Sequence, residues 1–156
     1  MEDYYRSCAS IIVFRPFEGD GQRFEFLLLH KPRKRDDWQL PQGGQEGQES
    51  SEEAALRELK EEAGIEAKVV GKSTQVYQYD FPASYRRFRS DNVCGQRIEF
   101  TIALANSDES VQVDDHEIDG HVWIFPEQLD QYIRRKEYSE LILRLYEEGK
   151  KLIIDN

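Results

Sequence analysis

The chain has 156 residues, 38% of them hydrophobic and 33% charged, which suits one domain over residues 1–156 with a single well-packed core. Its net charge of −10, from 31 acids against 21 bases, disfavours broad binding to duplex DNA, and no apolar run approaches the ~18 residues of a membrane span. The opening Met1-Glu2-Asp3 leads into no apolar signal region, so Cys8 and Cys94 are expected as reduced thiols in a cytoplasmic protein.

Residues Cys8 to Arg15 predict a strand, and Gln22 to His30 its partner after a Gly-rich turn. Lys31 to Asp37 reads as a charged loop, and Trp38 to Gly44 as short extended pieces with turns. Ser51 to Ala63 is the clearest helix: Ser50 and Glu53 form a capping-box pair, and Gly64 stands where a left-handed terminus is expected. Lys68 to Phe81 predicts a strand broken at Gly71, with Arg97 to Ala105 and Gly120 to Phe125 as two more. Phe81 to Cys94 reads as the longest irregular stretch. Pro126 should open a short helical turn, and a last helix over Ser139 to Glu148 should stop at Gly149. Strands and helices interleave without strict alternation, which points to an α/β fold with helices packed on a mixed sheet.

Chemistry concentrates in the first helix. Glu58, Glu61 and Glu62 are spaced i, i+3, i+4, so their carboxylates share a face and repel. Arg57 can meet Glu61 or reach back to Glu49, yet one arginine cannot neutralise four acids. Such oxygen-rich clusters suit a hard divalent cation; a solvated acidic surface is the alternative reading.

Gly43, then Glu49, Arg57-Glu58-Leu59, Glu61-Glu62 and Gly64-Ile65 stand at the spacing of the Nudix box. The chain therefore resembles Nudix hydrolases, which implies an α/β/α sandwich and metal-dependent cleavage of a nucleoside diphosphate linked to another group. The resemblance implies Glu58, Glu61, Glu62 and the Gly43 carbonyl as metal ligands, with Arg57 and Glu49 as the ion pair that fixes the helix to its loop. It implies Mg²⁺ or Mn²⁺, more than one ion, and a general base that is Glu61 or Glu117.

Trp38-Gln39-Leu40-Pro41-Gln42-Gly43-Gly44, Tyr79-Asp80-Phe81-Pro82, Gly95-Gln96 and Glu117-Ile118-Asp119-Gly120 resemble one branch of the family. That branch holds asymmetrical diadenosine tetraphosphate hydrolases and bacterial RNA 5′-pyrophosphohydrolases. It implies that Glu117 reaches the metal cluster and that Gln96 contacts substrate; His121 departs from the aromatic usual there. The first expectation is a dinucleoside polyphosphate cleaved to ATP and AMP. The second is a 5′-triphosphate RNA end, and a non-catalytic nucleotide-binding module is the third. Oxidised nucleotides are a further possibility.

Lys31, Arg33, Lys34 and Arg35 could meet outer phosphates or form a solvated loop. Tyr77 and Tyr79, or Tyr85 and Phe88, could stack on a base or pack as core, and Arg86, Arg87 and Arg89 could hold a second nucleotide. His30, His116 and His121 share no ligand spacing, and Trp38 and Trp123 are expected in the core.

Overall fold

The computed structural model describes residues 2–17, 19–32, 37–87, 91–106 and 108–155. One mixed sheet organises them. Strands β1 (Tyr4–Phe17) and β2 (Asp20–His30) are antiparallel, and β1 also pairs in parallel with β6 (Val93–Leu104), from Tyr4 opposite Val93 to Phe14 opposite Leu104. β5 (Lys68–Asp80) runs antiparallel to β6 at one edge. On the other side β2 pairs with β3 (Trp38–Gln39) and β7 (Gly120–Ile124).

β1 and β2 pair only from Phe14 to Phe17, beyond which β2 turns toward β7. The wedge that opens is filled by β4 (Gln42–Gly44), which pairs with Cys8 to Ser10, and by Pro41, whose carbonyl accepts from the Ile11 N–H and the Ser10 hydroxyl. This split brings Gln42 to Gly44 beside the middle of the sheet.

Side chains alternate across the pleat. Ala9, Ile11 and Val13 face helix α1 (Ser51–Ala63) with Leu27, Leu29, Ala55 and Leu59. Cys8, Ile12 and Phe14 face helix α3 (Lys136–Ile154) with Phe26, Leu28, Phe100 and Leu145. The central strand is buried on both faces, which is why its sequence is continuously apolar rather than alternating. The architecture is the expected α/β/α sandwich. No helix among the described residues is long and apolar enough to cross a membrane.

Several boundaries differ from the sequence reading. β1 begins four residues earlier, and β6 reaches back to Val93, because their mutual parallel ladder satisfies the backbone regardless of side-chain polarity. Gly71 does not break β5; the register shifts there as a bulge and the strand continues. A helix α2 (Ala83–Arg86) interrupts the stretch after β5, so among the described residues the longer irregular segment is instead 108–119.

Gly149 does not stop α3, which runs through it to Ile154. A Cβ there would lie 2.4 Å from the Phe14 ring. The glycine is a packing contact between helix and sheet, not a terminator. A 3₁₀ turn over Pro126–Gln131 matches the expected helical start.

Candidate active site

The capping box is closed on both sides. Ser50 Oγ accepts from the Glu53 N–H at 3.1 Å, and Glu53 Oε1 accepts from the Ser50 N–H at 3.0 Å. At the other end Gly64 has φ +69 and donates its N–H to the Lys60 carbonyl, a left-handed terminus that favours glycine. These two ends set the rotation of α1. Its buried stripe combines Ala54, Ala55, Leu59 and Ala63 with Glu58 and Glu62, whereas Glu61 lies at the exposed rim.

The buried carboxylates lie against β4. A Cβ on Gly43 would fall 2.1 Å from the Glu58 carboxyl carbon, so only glycine leaves room for that group on the strand. Glu62 Oε1 accepts from the Gln42 N–H at 3.0 Å. Arg57 spreads over the rest: its guanidinium donates to both Glu49 oxygens at 2.7 and 3.0 Å, to Glu58 at 3.0 Å, to Glu61 at 3.3 Å and to the Gly44 carbonyl at 2.9 Å. The bidentate pair with Glu49 ties helix to loop.

Electrostatics follow from this packing. Burial pushes the Glu62 carboxyl up to about 8, with the Gln42 N–H opposing and Glu58 and Glu117 adding to the rise. Burial also raises Glu58, although Arg57 works against it and Glu61 and Glu117 contribute in the same direction as burial. Glu49 is held low by Arg57 and by the Glu46 N–H. Glu117, far along the chain, thus lies within electrostatic reach of both buried acids.

These groups form one wall of an open cleft of about 1350 Å³. Glu58, Glu61, Glu62, Glu117 and Gly43 all line it, joined by Lys31 and Gln96. The same cleft is lined by a run of aromatic rings on β5 and beyond it. Tyr77 and Tyr79 have ring centroids 5.6 Å apart, Phe81 is 6.2 Å from Tyr79, and Tyr85 is 4.9 Å from Phe81. Tyr77 and Tyr79 are half-buried; each packs on the α3-side core while lining the cleft, so the two readings of these rings coexist. The Tyr79 hydroxyl donates to Gln96 Oε1 at 2.6 Å.

Other sequence candidates lie elsewhere. Arg33, Lys34, Arg35, Phe88 and Arg89 fall outside the described residues. Arg86 pairs with Asp3 at 2.8 Å and lines a small separate hollow with Tyr5 and Cys94. His30 pairs with Asp119 at 2.6 Å and stacks near Trp38, His121 is exposed, and His116 lines the cleft. Trp38 packs on the α3-side core and Trp123 on the α1-side core. Both cysteines are free, Cys8 buried and Cys94 partly so.

The sequence reading missed Arg6, Gln39, Arg135 and Tyr138, all of which line the cleft. Arg135 belongs to a basic island, Arg134-Arg135-Lys136, that the sequence shows without giving it a role; Arg6 carries no signal beyond its place ahead of the first apolar run.

The donor set fits a hard divalent cation. It is all oxygen, partly buried and bears more negative charge than Arg57 offsets, and the Gly43 cradle keeps the Glu58 carboxylate against β4. Among the described residues no three His, Cys, Asp or Glu groups already stand as a ligand cage. Glu58 and Glu61 turn instead toward Arg57, and Glu62 toward Gln42.

The profile of the NUDIX domain matches residues 6–145. An RNA pyrophosphohydrolase of Hydrogenovibrio crunogenus is 34% identical over 130 residues, covering 78% of this chain and 74% of that protein. One from Zymomonas mobilis is 33% identical over 136 residues, covering 83% and 84%. Among solved structures, a C. elegans Ap4A hydrolase binary complex superposes with TM-score 0.72 at 22% identity, over 90% of this chain and 95% of that one. The NUDIX domain of Shewanella oneidensis NrtR complexed with ADP ribose superposes with TM-score 0.68 at 16% identity, over 94% and 89%. With its box intact on the capped helix, its sandwich shared with those structures and the domain profile running almost end to end, the chain belongs to the Nudix family of pyrophosphohydrolases.

Proposed function

We propose that the chain, acting as one domain, hydrolyses a phosphoanhydride bond in a nucleoside polyphosphate whose phosphates lie over α1 and whose base meets the aromatic wall. The observation that carries this reading is that Glu58, Glu62 and Glu117 line one cleft together with Tyr77 and Tyr79. Nudix hydrolases need a divalent metal, and Mg²⁺ is the ion we assign, with Mn²⁺ as its substitute and more than one ion per site. Glu58, Glu61, Glu62, Glu117 and the Gly43 carbonyl would hold it. When bound, the metal supplies positive charge against the charge that develops on the phosphate oxygens.

The chain's own residues do the rest. Arg57 fixes the orientation of the Glu58 and Glu61 side chains and ties them to the loop through Glu49. Glu61 and Glu117 both line the cleft, which supports either of them as the base that takes the proton from the attacking water. Lys31 lines the phosphate side, where Arg33, Lys34 and Arg35 follow it in sequence, and its charge complements phosphate oxygens. Tyr77 and Tyr79 offer ring surface to a purine, and Gln96, already bonded to Tyr79, is within the same wall.

Two substrates fit this division. Relatives at 33–34% identity named RNA pyrophosphohydrolase favour the 5′-triphosphate end of RNA. A dinucleoside polyphosphate is the second reading, favoured by the net charge of −10, which gives a long RNA body little to follow. Both are intracellular molecules, so the reading carries a cytoplasmic setting with it.

Product analysis with Mg²⁺ decides between them, using diadenosine tetraphosphate and a short 5′-triphosphate RNA in parallel and Glu61→Gln as the blank. Faster formation of 5′-monophosphate RNA is the expected result. Fast release of ATP and AMP with the RNA intact would reverse the order, and turnover of neither would return a binding module to the front.

A further inference from the structure

Glu117 stands on a loop without helix or strand, and among the described residues no hydrogen bond or ion pair reaches its carboxylate. Its place over the cleft is therefore set by its backbone. That backbone is organised by a single side chain. Asp114 Oδ1 accepts the N–H groups of His116 at 3.0 Å, Glu117 at 3.1 Å and Ile118 at 3.0 Å.

We infer that Asp114 is a positioning residue, holding the loop so that Glu117 stays in the cleft that Glu58 and Glu62 also line. The inference rests on the reading of Glu117 given above.

The loop's other contacts explain why this one matters. Before it, the Gln112 N–H donates to the Ala63 carbonyl at 2.8 Å, so the approach to the loop is pinned to the end of α1. A Cβ on Gly64 would stand 3.1 Å from the Gln112 carbonyl oxygen, which keeps this contact close. After it, Ile118 is fully buried in the α1-side core, and the Asp119 N–H donates to the His30 carbonyl at 3.1 Å. Both flanks are thus anchored to the body of the fold.

Between them Asp115 takes a left-handed φ of +63, a conformation that favours glycine and, to a lesser degree, Asn or Asp. The Asp115 N–H closes the turn on the Ile118 carbonyl at 2.9 Å. The N–H groups of three successive residues converge on one acceptor. Asp114 supplies that acceptor, and its carboxylate is the group on which the loop converges. Anchored flanks alone would leave residues 115–117 free to relax the left-handed turn and swing Glu117 off the cleft.

The test is a double-mutant cycle with Glu117→Ala. Asp114→Ala should lower kcat by about 10–100-fold, the range found when a residue orienting a metal-binding group is lost, with KM changed much less. It should also shrink the Mg²⁺-induced rise in melting temperature to the level of Glu117→Ala, a readout independent of turnover. Asp114→Asn retains an oxygen acceptor in the same place and should recover most of the rate.

In the Glu117→Ala background, Asp114→Ala should cost nothing further, since the group it positions is gone. Full additivity of the two losses, or Asp114→Ala turning over at the wild-type rate while Glu117→Ala is slow, would overturn the inference. A Glu117→Ala variant at the wild-type rate would instead overturn the placement of Glu117 in the site. If Asp114→Ala merely loosened the whole fold, its loss would multiply with that of Glu117→Ala, and the cycle would show it.

Discussion

At Glu62 the fold holds a carboxyl in surroundings that favour its neutral form. Its ordinary value of 4.5 rises to about 8, chiefly through burial. A folded-state value above the unfolded one means that folding takes up a proton between those limits, so stability is highest below about 4.5 and falls as pH rises toward 8. For metal-free protein in chelator, the free energy of unfolding at pH 5.5 should exceed that at pH 8.5 by an amount on the order of a few kcal/mol. Glu62→Gln should remove that slope and melt higher than wild type at pH 8.5. A divalent cation should flatten the wild-type slope by engaging the ionised form. An identical slope in Glu62→Gln would place its origin in another group.

Gly43 carries a second prediction at this scale. Gly43→Ala drives a methyl into the Glu58 carboxyl 2.1 Å away, and overpacking of this kind costs about 1–3 kcal/mol where nothing can move. Here Glu58 can move, but only by leaving its place, so the expected outcome is a large loss of kcat with a smaller loss of melting temperature. Glu61→Gln makes the complementary test. It removes a charge at an exposed rim position without changing shape, so turnover should collapse while the melting curve stays put.

At the scale of elements, α1 is the part of the molecule most nearly written in one stretch of sequence. Ser50, Glu53 and Gly64 fix both ends through local bonds, and local bonds are what spacing reveals. Ser50→Ala should therefore cost about 1 kcal/mol, and Gly64→Ala about 1–2 kcal/mol through the left-handed terminus. Thermal melts of the two variants check both.

The same helix shows where spacing stops being informative. Glu58, Glu61 and Glu62 were expected on one face, and all three line the cleft, but Glu58 and Glu62 are buried and Glu61 is exposed. Which side of an i, i+4 stripe goes inward depends on the sheet beneath it. Gly149 illustrates the converse. Read locally it is a helix stop, yet it lies inside α3 because Phe14, on a distant strand, occupies the space a side chain would need. Gly149→Ala should accordingly destabilise the fold although alanine is the better helix former.

Across the whole molecule, the cleft combines an acidic helix with cations from three remote places: Arg6 on β1, Lys31 just after β2, and Arg135 just before α3. No stretch of sequence contains that grouping: its acidic half was legible through the box and Lys31 through its basic loop, whereas Arg6 and Arg135 were not. The splitting of β1 from β2, which admits β4 and opens the site, was hidden for the same reason: it depends on long-range pairing rather than on any local turn.

If the 5′-triphosphate end of RNA is the substrate, as proposed, this grouping sets how its binding depends on salt. Single-stranded nucleic acid releases counterions with a slope near −0.7 per neutralised phosphate in a plot of log affinity against log salt. With Arg6, Lys31 and Arg135 as the cleft cations among the described residues, the expected slope is about −2 for a short 5′-triphosphate RNA. The titration would use Glu61→Gln at saturating Mg²⁺, so that binding is read without turnover. Replacing Arg135 by alanine should flatten the slope by about 0.7. A slope near −4 would mean that roughly six phosphates are neutralised, and Arg33, Lys34 and Arg35 would then join the binding surface. A slope near zero would remove the cations from recognition and leave the aromatic wall and the metal as what holds the substrate.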